Sequence, residues 1–538
     1  MMKKGLVKSF AVILALLISL VGCTPNETTT EKTKDGKTIV TAFSAVTPMV
    51  TDYNNNELTK KIEKKLNIDI QFKTTPQDGA DQKQKLQLSS GDYPVAFIGG
   101  NFSGIDQLKY GKQGVLIPLN DLIDKYAPNI KAAFQQQPWL KQAITMPNGK
   151  IYGLPGMMGC YHCTYPIKMW INKDWLKKVN LQMPQTPADL EQVLEAFKTQ
   201  DPNGNGKQDE IPLTGIPNDQ EMNPINFIMN AYIYTNHGNY FKIDNGKISF
   251  VANTPQWKQG LEYMHELYTK GLIDPKTFTQ QLEGVQQEVN KGDQPLVGTF
   301  AGLWSGAALT IDDKATRWTH YEAIPPLKGP DGNAETVYNG HQIYGAKFAI
   351  TNKATKAQQI AAIKIADYVY SKEGAIDEMF GIKGKGWVKP KPGDIGVDGK
   401  PALFRRGNVN PDEPSNILWD NDFTYLTEDM YNGQQASQDP NTIDGYEKYL
   451  YLQTKEKYDG KHPDEMLLND VVDPDKAQEI AQVKTDIINY VQSSAVQFIM
   501  GKMNFTKDWD AYVKQIDTLG VDKYVSAYQE TYDSMNKK

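Results

Sequence analysis

The twelve residues DPNGNGKQDEIP, 201–212, set polar groups at spacings that make sense together only around a hard cation. Asp201, Asn203, Asn205 and Asp209 offer side-chain oxygens at the first, third, fifth and ninth positions, Lys207 offers a backbone carbonyl at the seventh, and Gly206 permits the sharp turn between them. The pattern departs from an EF-hand at its end, where Pro212 takes the twelfth position and the last carboxylate, Glu210, stands at the tenth. An Asn/Gly turn with incidental acids is the plainer alternative. Five positions obeying the spacing at once favour calcium. Upstream, Thr186 as N-cap, Pro187 in the first turn and Asp189 in the capping-box position open a helix whose Leu190, Val193, Leu194 and Phe197 share one face. Downstream, residues 211–216 read as a strand. A helix–loop–strand unit has no second helix to open, so the expected calcium is a structural clamp and not a switch.

At the N-terminus, Lys3, Lys4 and Lys8 lead into an apolar run over 10–21 that is too short to span a bilayer, and residues 1–22 read as an export signal. Leu20, Val21, Gly22 and Cys23 resemble a bacterial lipobox, which implies acylation of Cys23 and anchoring on the outer face of the cell membrane. An ordinary cleaved signal followed by a free cysteine is the alternative. Residues 23–37 are polar and threonine-rich and read as a flexible tether. Removing the signal leaves 538 − 22 = 516 residues, enough for two or three domains. With a formal net charge of −6 and no basic stripe, nucleic acid is excluded as an expected partner. The chain holds 28 Tyr and 9 Trp, residues whose rings stack on sugar faces while their polar edges bond hydroxyls.

Strands over 37–43, 68–72 and 95–98 alternate with helices over 57–66 and 82–89. This order predicts an open α/β sheet with ligand groups at the carboxyl ends of its strands. Ser44, after the first strand, and Asp92, in the loop before the third, are therefore candidates for hydroxyl recognition; Asp92 as a simple turn cap is equally compatible. The segments KLQLSSGDYP, YGKQGVLIPLNDLIDKYAPNI, NGKIYGLPG, INKDWLKKVNLQMPQTPADLEQVLEAFKTQDPNGNGKQDEIPL, LEYMHELYTKGLIDP and YEAIPPLKGPDG, in that order, resemble the large extracellular solute-binding lipoproteins of ABC sugar importers. The resemblance covers essentially the whole mature chain, and its calcium loop is similar to that of the alginate-binding proteins of this family. It implies an α/β, two-lobed periplasmic-binding-protein type II fold with discontinuous domains and a hinge. The first lobe is expected over 38–155 and 330–395, the second over 156–329 and 396–538, with a hinge near residues 152–155. It further implies a monomer that takes an oligosaccharide between its lobes and delivers it to permease subunits.

The segment GCYHCTY, 159–165, departs from the family pattern. Cys160 and Cys163 with an internal histidine are compatible with a redox pair, half a zinc site or a local disulfide. With no second CxxC or nearby histidine to complete a zinc set, a groove-lining loop with thiols or a disulfide is favoured, and Tyr161 and His162 become candidate ligand contacts. Trp304, flanked by small residues after a buried strand over 294–300, is either a core residue or a cleft residue; resemblance to the alginate binders favours contact with sugar. Trp387, Trp419 and Tyr425, in a long stretch rich in Gly, Pro and Asn, form a second set of stacking candidates. Asp92 and Trp304 are the pair expected to clasp ligand from opposite lobes. A secreted glycan hydrolase is the rival class, with Asp420, Asp422, Glu428 and Asp429 as its carboxylates, but no nucleophile elbow or HExxH motif supports it. An adhesive or sensing surface lipoprotein is a third.

Overall fold

The computed structural model describes residues 31–536, apart from 218, 237, 313, 315, 341–342, 408–412, 468–471 and 473. Residues 1–22, expected to be an export signal, and Cys23 lie outside the described residues. Three parallel strands, Ile68–Pro76, Thr38–Val46 and Ala96–Phe102, form one half of a six-stranded sheet. The antiparallel Ile343–Ile350 follows, then Gly153–Met158 and the short Tyr425–Leu426. The sheet forms because its strands are apolar on both faces. One face, with Val40, Ala42, Ile98 and Phe348, packs under the helices Glu57–Leu66 and Lys356–Val369. The other, with Phe43, Phe97, Phe102 and Ala349, packs under Tyr110 and Tyr152. Asn56 caps the first of those helices by accepting from the Leu58 amide, and Thr355 with Gln358 makes a capping box on the second.

A second sheet carries its own core. Its strands run in the order Tyr321–Ile324, Met169–Asn172, Val297–Ala301 and Ile211–Thr214. The helix Pro187–Thr199 docks on it through Leu190, Val193, Leu194 and Phe197, and its capping box is the expected one: Asp189 N donates to Thr186 Oγ1 at 3.2 Å and Thr186 N to Asp189 Oδ2 at 3.0 Å. Gly298 allows this close docking, since a Cβ there would lie 2.4 Å from the Phe197 ring. The helices Pro474–Ile499, Trp509–Leu519 and Val521–Asn536 complete this core. Among the described residues no helix is long and apolar enough to cross a membrane.

The chain passes between the sheets three times: between Met158 and Met169, between Ile324 and Ile343, and between Leu426 and Tyr446. Residues 153–155, where a hinge is expected from the sequence, instead belong to a strand of the first sheet, and the Pro155 carbonyl accepts from Tyr370 Oη at 3.1 Å. The stretch 396–538 is divided: Trp419, Phe423 and Tyr425 pack in the first core, and Tyr446 onward in the second.

Candidate functional site

Between the two cores lies a cavity of about 620 Å3. Phe102 and Gly345 of the first sheet and Gln107 of the helix Gly104–Lys112 wall it on one side, and Phe241, Ile243 and Val337 of the second core on the other. A smaller one of about 200 Å3 adjoins it along the sheet, since Asn101 and Lys347 line the small cavity while their chain neighbours Phe102 and Ala346 line the large one. Both sit where the parallel strands end, the position at which open α/β sheets hold ligands.

The smaller cavity is shaped by the turn from Trp419 to Phe423. Gly99 has φ +82° and leaves room for Asn421, whose side chain a Cβ at Gly99 would approach to 2.8 Å. Asn421 Nδ2 then donates to Ser44 Oγ at 3.1 Å. Asp420 and Asp422 flank it with φ of 50° and 60°, a left-handed backbone that non-glycine residues adopt at a cost and that collects at functional sites. Lys347 Nζ lies 3.2 Å from Asp422 Oδ2, Asp420 accepts from Thr47 Oγ1, and Asp81 accepts from Asn101 Nδ2. Burial pushes the Asp420 carboxyl up, with Asp422 adding to it. Behind the turn, burial raises the enclosed Glu378 to about 8, against hydrogen bonds from Thr424 and the Asn421 backbone that pull it down. Glu378 is thus mostly protonated at neutral pH and adds little charge to its acidic neighbours.

In the 201–210 loop, the polar groups converge as their spacing predicts. Asp201 accepts from the amides of Asn205 and Gly206 at 3.1 and 2.9 Å, Asn203 Oδ1 from Asn205 N at 2.9 Å, and Asn205 Oδ1 from Lys207 N at 2.8 Å. Asp209 accepts from the amides of both asparagine side chains, at 3.2 and 2.9 Å. Both carboxylate oxygens of Glu210 are buried and have no hydrogen-bond partner. Burial, then the Asp201 and Asp209 charges, pushes the Glu210 carboxyl above its ordinary value. A buried carboxylate facing two others without a donor fits a divalent cation, so the residues present match calcium.

The other candidate residues are dispersed. Trp304 is 40% exposed, with its ring 6.2 Å from Tyr446, and presents an open aromatic face after the strand Val297–Ala301. Trp419, Trp387 and Tyr425 are packed inside and offer no ring to a ligand, which corrects the expectation of a second stacking cluster. The Trp419 indole donates to Thr59 Oγ1 at 2.9 Å and meets Phe72 edge-on, the Trp387 indole donates to Asp377 Oδ1 at 2.8 Å, and Tyr425 stacks on Tyr370 at 4.5 Å. Ser44 is buried and holds Asn421, so it acts behind the cavity surface. Asp92 is exposed beyond Gly91, the C-cap of the helix Ala80–Ser90, and precedes the strand Ala96–Phe102; it lies at the sheet end opposite the cavities and cannot clasp a ligand with Trp304. Cys160 and Cys163 form a disulfide. His162 is buried against Glu447, 3.0 Å away, and Tyr161 packs on Tyr451 at 5.0 Å, so both are engaged within the crossing between the sheets.

Residues 41–376 match the family described as bacterial extracellular solute-binding protein. The chain belongs to that family. The fructooligosaccharide ABC transporter substrate-binding protein FusA of Streptococcus pneumoniae serotype 4 is 28% identical to it over 509 residues, 92% of this chain and 89% of FusA. The structure of FusA in complex with kestose superimposes with a TM-score of 0.72 at 25% identity, covering 93% of this chain and 99% of that one. Lipoprotein LipO of Bacillus subtilis is 24% identical over 398 residues, covering 72% of this chain and 74% of LipO. The alginate-binding protein AlgQ2, solved without calcium ion, shares the fold with a TM-score of 0.64 at 23% identity, over 92% of this chain and 98% of that one. Membership places the chain among extracellular proteins that bind solutes and not among enzymes.

As a solute-binding protein, this chain has cavity residues that sequence reasoning passed over: Gln107, Asn101, Lys347 and Tyr344. One signal was present. In the run from Trp419 to Tyr425 the acids Asp420 and Asp422 alternate with aromatics at 419, 423 and 425, and the turn, with both acids in a left-handed backbone that aspartate tolerates, sends the rings into the core and the acids to the cavity.

Proposed function

We propose that the protein is held by lipid at Cys23 on the outer face of the cell membrane, takes an oligosaccharide into the space between its two cores, and presents it to the permease of an ABC importer. The observation that carries this reading is the cavity of about 620 Å3 walled by both cores, in a chain related along nearly its whole length to a fructooligosaccharide-binding protein. Tyr338 and Tyr344 line it with rings, and Gln107 and Asn339 with amides, the mixture that binds a ring with an apolar face and a hydroxylated edge. The two cores act as lobes. Sugar draws them together by binding the closed arrangement better, through contacts with both at once. The three crossing segments then absorb the rotation, and the closed monomer is the form the permease accepts.

Calcium at Asp201, Asn203, Asn205, the Lys207 carbonyl, Asp209 and Glu210 belongs to the same reading. When bound it supplies positive charge that offsets three converging carboxylates, fixing the edge strand Ile211–Thr214 to the helix Pro187–Thr199. Calorimetry with neutral oligosaccharides of increasing length, joined to small-angle scattering, tests the reading. Affinity should rise beyond the monosaccharide and the radius of gyration should fall on saturation; equal binding of monosaccharide, or an unchanged radius, would sink it.

A further inference from the structure

We propose that the cleft admits uncharged, hydroxyl-rich glycans and rejects those bearing carboxylate, sulfate or phosphate, with Asp81, Asp420 and Asp422 as the residues that set this selectivity. The inference rests on the oligosaccharide reading and narrows its substrate class. In the small cavity three carboxylates, Asp81, Asp420 and Asp422, face a single ammonium, Lys347, whose charge Asp422 already holds at 3.2 Å. In the large cavity the one charged side chain among the described lining residues is another acid, Glu465. No described cation in either lining is left to meet an anionic sugar.

Hydrogen-bond polarity points the same way. Gln107 is more than nine-tenths buried, lines the large cavity, and keeps its Oε1 without a donor. Each carboxylate of the small cavity retains acceptor sites beyond the one donor residue it meets, Asn101 for Asp81, Thr47 for Asp420 and Lys347 for Asp422. Such a lining asks for donors. Sugar hydroxyls donate, whereas the ionised carboxylate of a uronate, or a sulfate group, can only accept, so such a group set against these acids would leave both partners unsatisfied and bring like charges together out of bulk water. Asp420 and Asp422 stand on a left-handed backbone that few residues other than glycine, asparagine and aspartate adopt readily, so the turn itself narrows which side chains can line this wall of the small cavity.

The test is calorimetric titration of the full mature chain with two panels at low salt. The neutral panel is kestose, maltotriose, cellotriose and xylotriose; the anionic panel is trigalacturonate, trimannuronate and triguluronate. At least one neutral trisaccharide should bind, and every uronate should be weaker by on the order of tenfold or more. Asp422→Asn keeps a residue suited to the left-handed backbone while releasing Lys347. It should strengthen trigalacturonate binding by on the order of tenfold, and added salt should erase that gain. A uronate that binds the unmodified protein more tightly than every neutral sugar overturns the selectivity and leaves the oligosaccharide reading standing. Unchanged trigalacturonate affinity in Asp422→Asn overturns the role given to the carboxylates. Silence toward both panels overturns the oligosaccharide reading and this inference with it.

Discussion

The two sheets are assembled in opposite ways. The four strands of the second all come from one unbroken stretch, 169–324, whereas the first gathers its strands from 38–102, 153–158, 343–350 and 425–426. The contiguous sheet carries the 201–210 loop, whose proposed calcium chemistry is local in the chain. The dispersed sheet carries the polar end of the cleft, where Asn421 meets Ser44 across 377 positions of sequence. Local chemistry is written as spacing; assembled chemistry is written in contacts that no spacing shows.

The widest contrast lies between two tryptophans. Trp419→Ala opens a hole in the dispersed core and should lower unfolding free energy by about 3–5 kcal/mol in a denaturant titration. Trp304→Ala, in the contiguous half, removes a ring that is 40% exposed and lines neither cavity, and should cost clearly less, on the order of 1 kcal/mol. Equal destabilisation by the two would mean that Trp304 is a core residue after all. Calcium should separate the halves next. At a hundredfold excess over its dissociation constant it should stabilise by about 2.7 kcal/mol. Chelation should lower the melting temperature accordingly, and Asp201→Ala should abolish the response; a melting curve indifferent to chelator returns the loop to a simple turn. The disulfide at the crossing spans only 3 positions, so Cys160→Ser is expected to cost about 2 kcal/mol or less. A larger loss would show that the crossing segment holds the two halves together.

Acidity should act on the halves with opposite sign. Glu378, behind the first sheet, is raised by burial from 4.5 to about 8, so between those values the folded state holds the extra proton and stability falls as pH rises. Lys168, at the start of the second sheet, is lowered by burial from 10.5 to about 7 while its ammonium bonds the His162 carbonyl at 2.7 Å. There the unfolded state holds the extra proton, and stability rises with pH across that window. Each slope is at most about 1.4 kcal/mol per pH unit. Glu378→Gln should remove the falling limb of a stability–pH curve and Lys168→Met the rising one. A curve unaltered by either substitution would show that these groups titrate normally.

What could be read from the sequence divides along the same line. The capping box of Thr186 and Asp189 and the apolar face from Leu190 to Phe197 involve neighbours a few positions apart, and the structure keeps both; the loop from Asp201 to Glu210 is equally local, and its polar groups converge. The α/β character of the first sheet also followed from the alternation of strands and helices. Trp387, Trp419 and Tyr425 were misplaced because a Gly- and Pro-rich stretch looks like surface until its distant partners Asp377, Thr59 and Tyr370 are known. Asp92 was misplaced for another reason: it stands before a strand, and only strand direction decides which end of the sheet that is. Gln107 gave no signal, since a glutamine on a helix is silent until the helix is docked.

The scattered origin of the first sheet has a consequence for how the molecule comes into being. A chain that emerges N-terminus first can complete the strands at 169–324 as soon as that stretch is out, but the other sheet lacks its edge until residue 426 has followed. Until then the apolar faces of Val40, Ile98 and Phe43 wait with neighbours missing, and the second sheet, though paired, still lacks the helices from Tyr446 onward that cover it. The last piece of the first sheet, the run from Trp419 to Leu426, brings both the plug for that core and the acids that face the cleft. Nascent chains truncated before it would lack the plug of the first core and the acids of the small cavity for a single reason, while the large cavity would wait longer still, for Glu465, Met466 and Leu467.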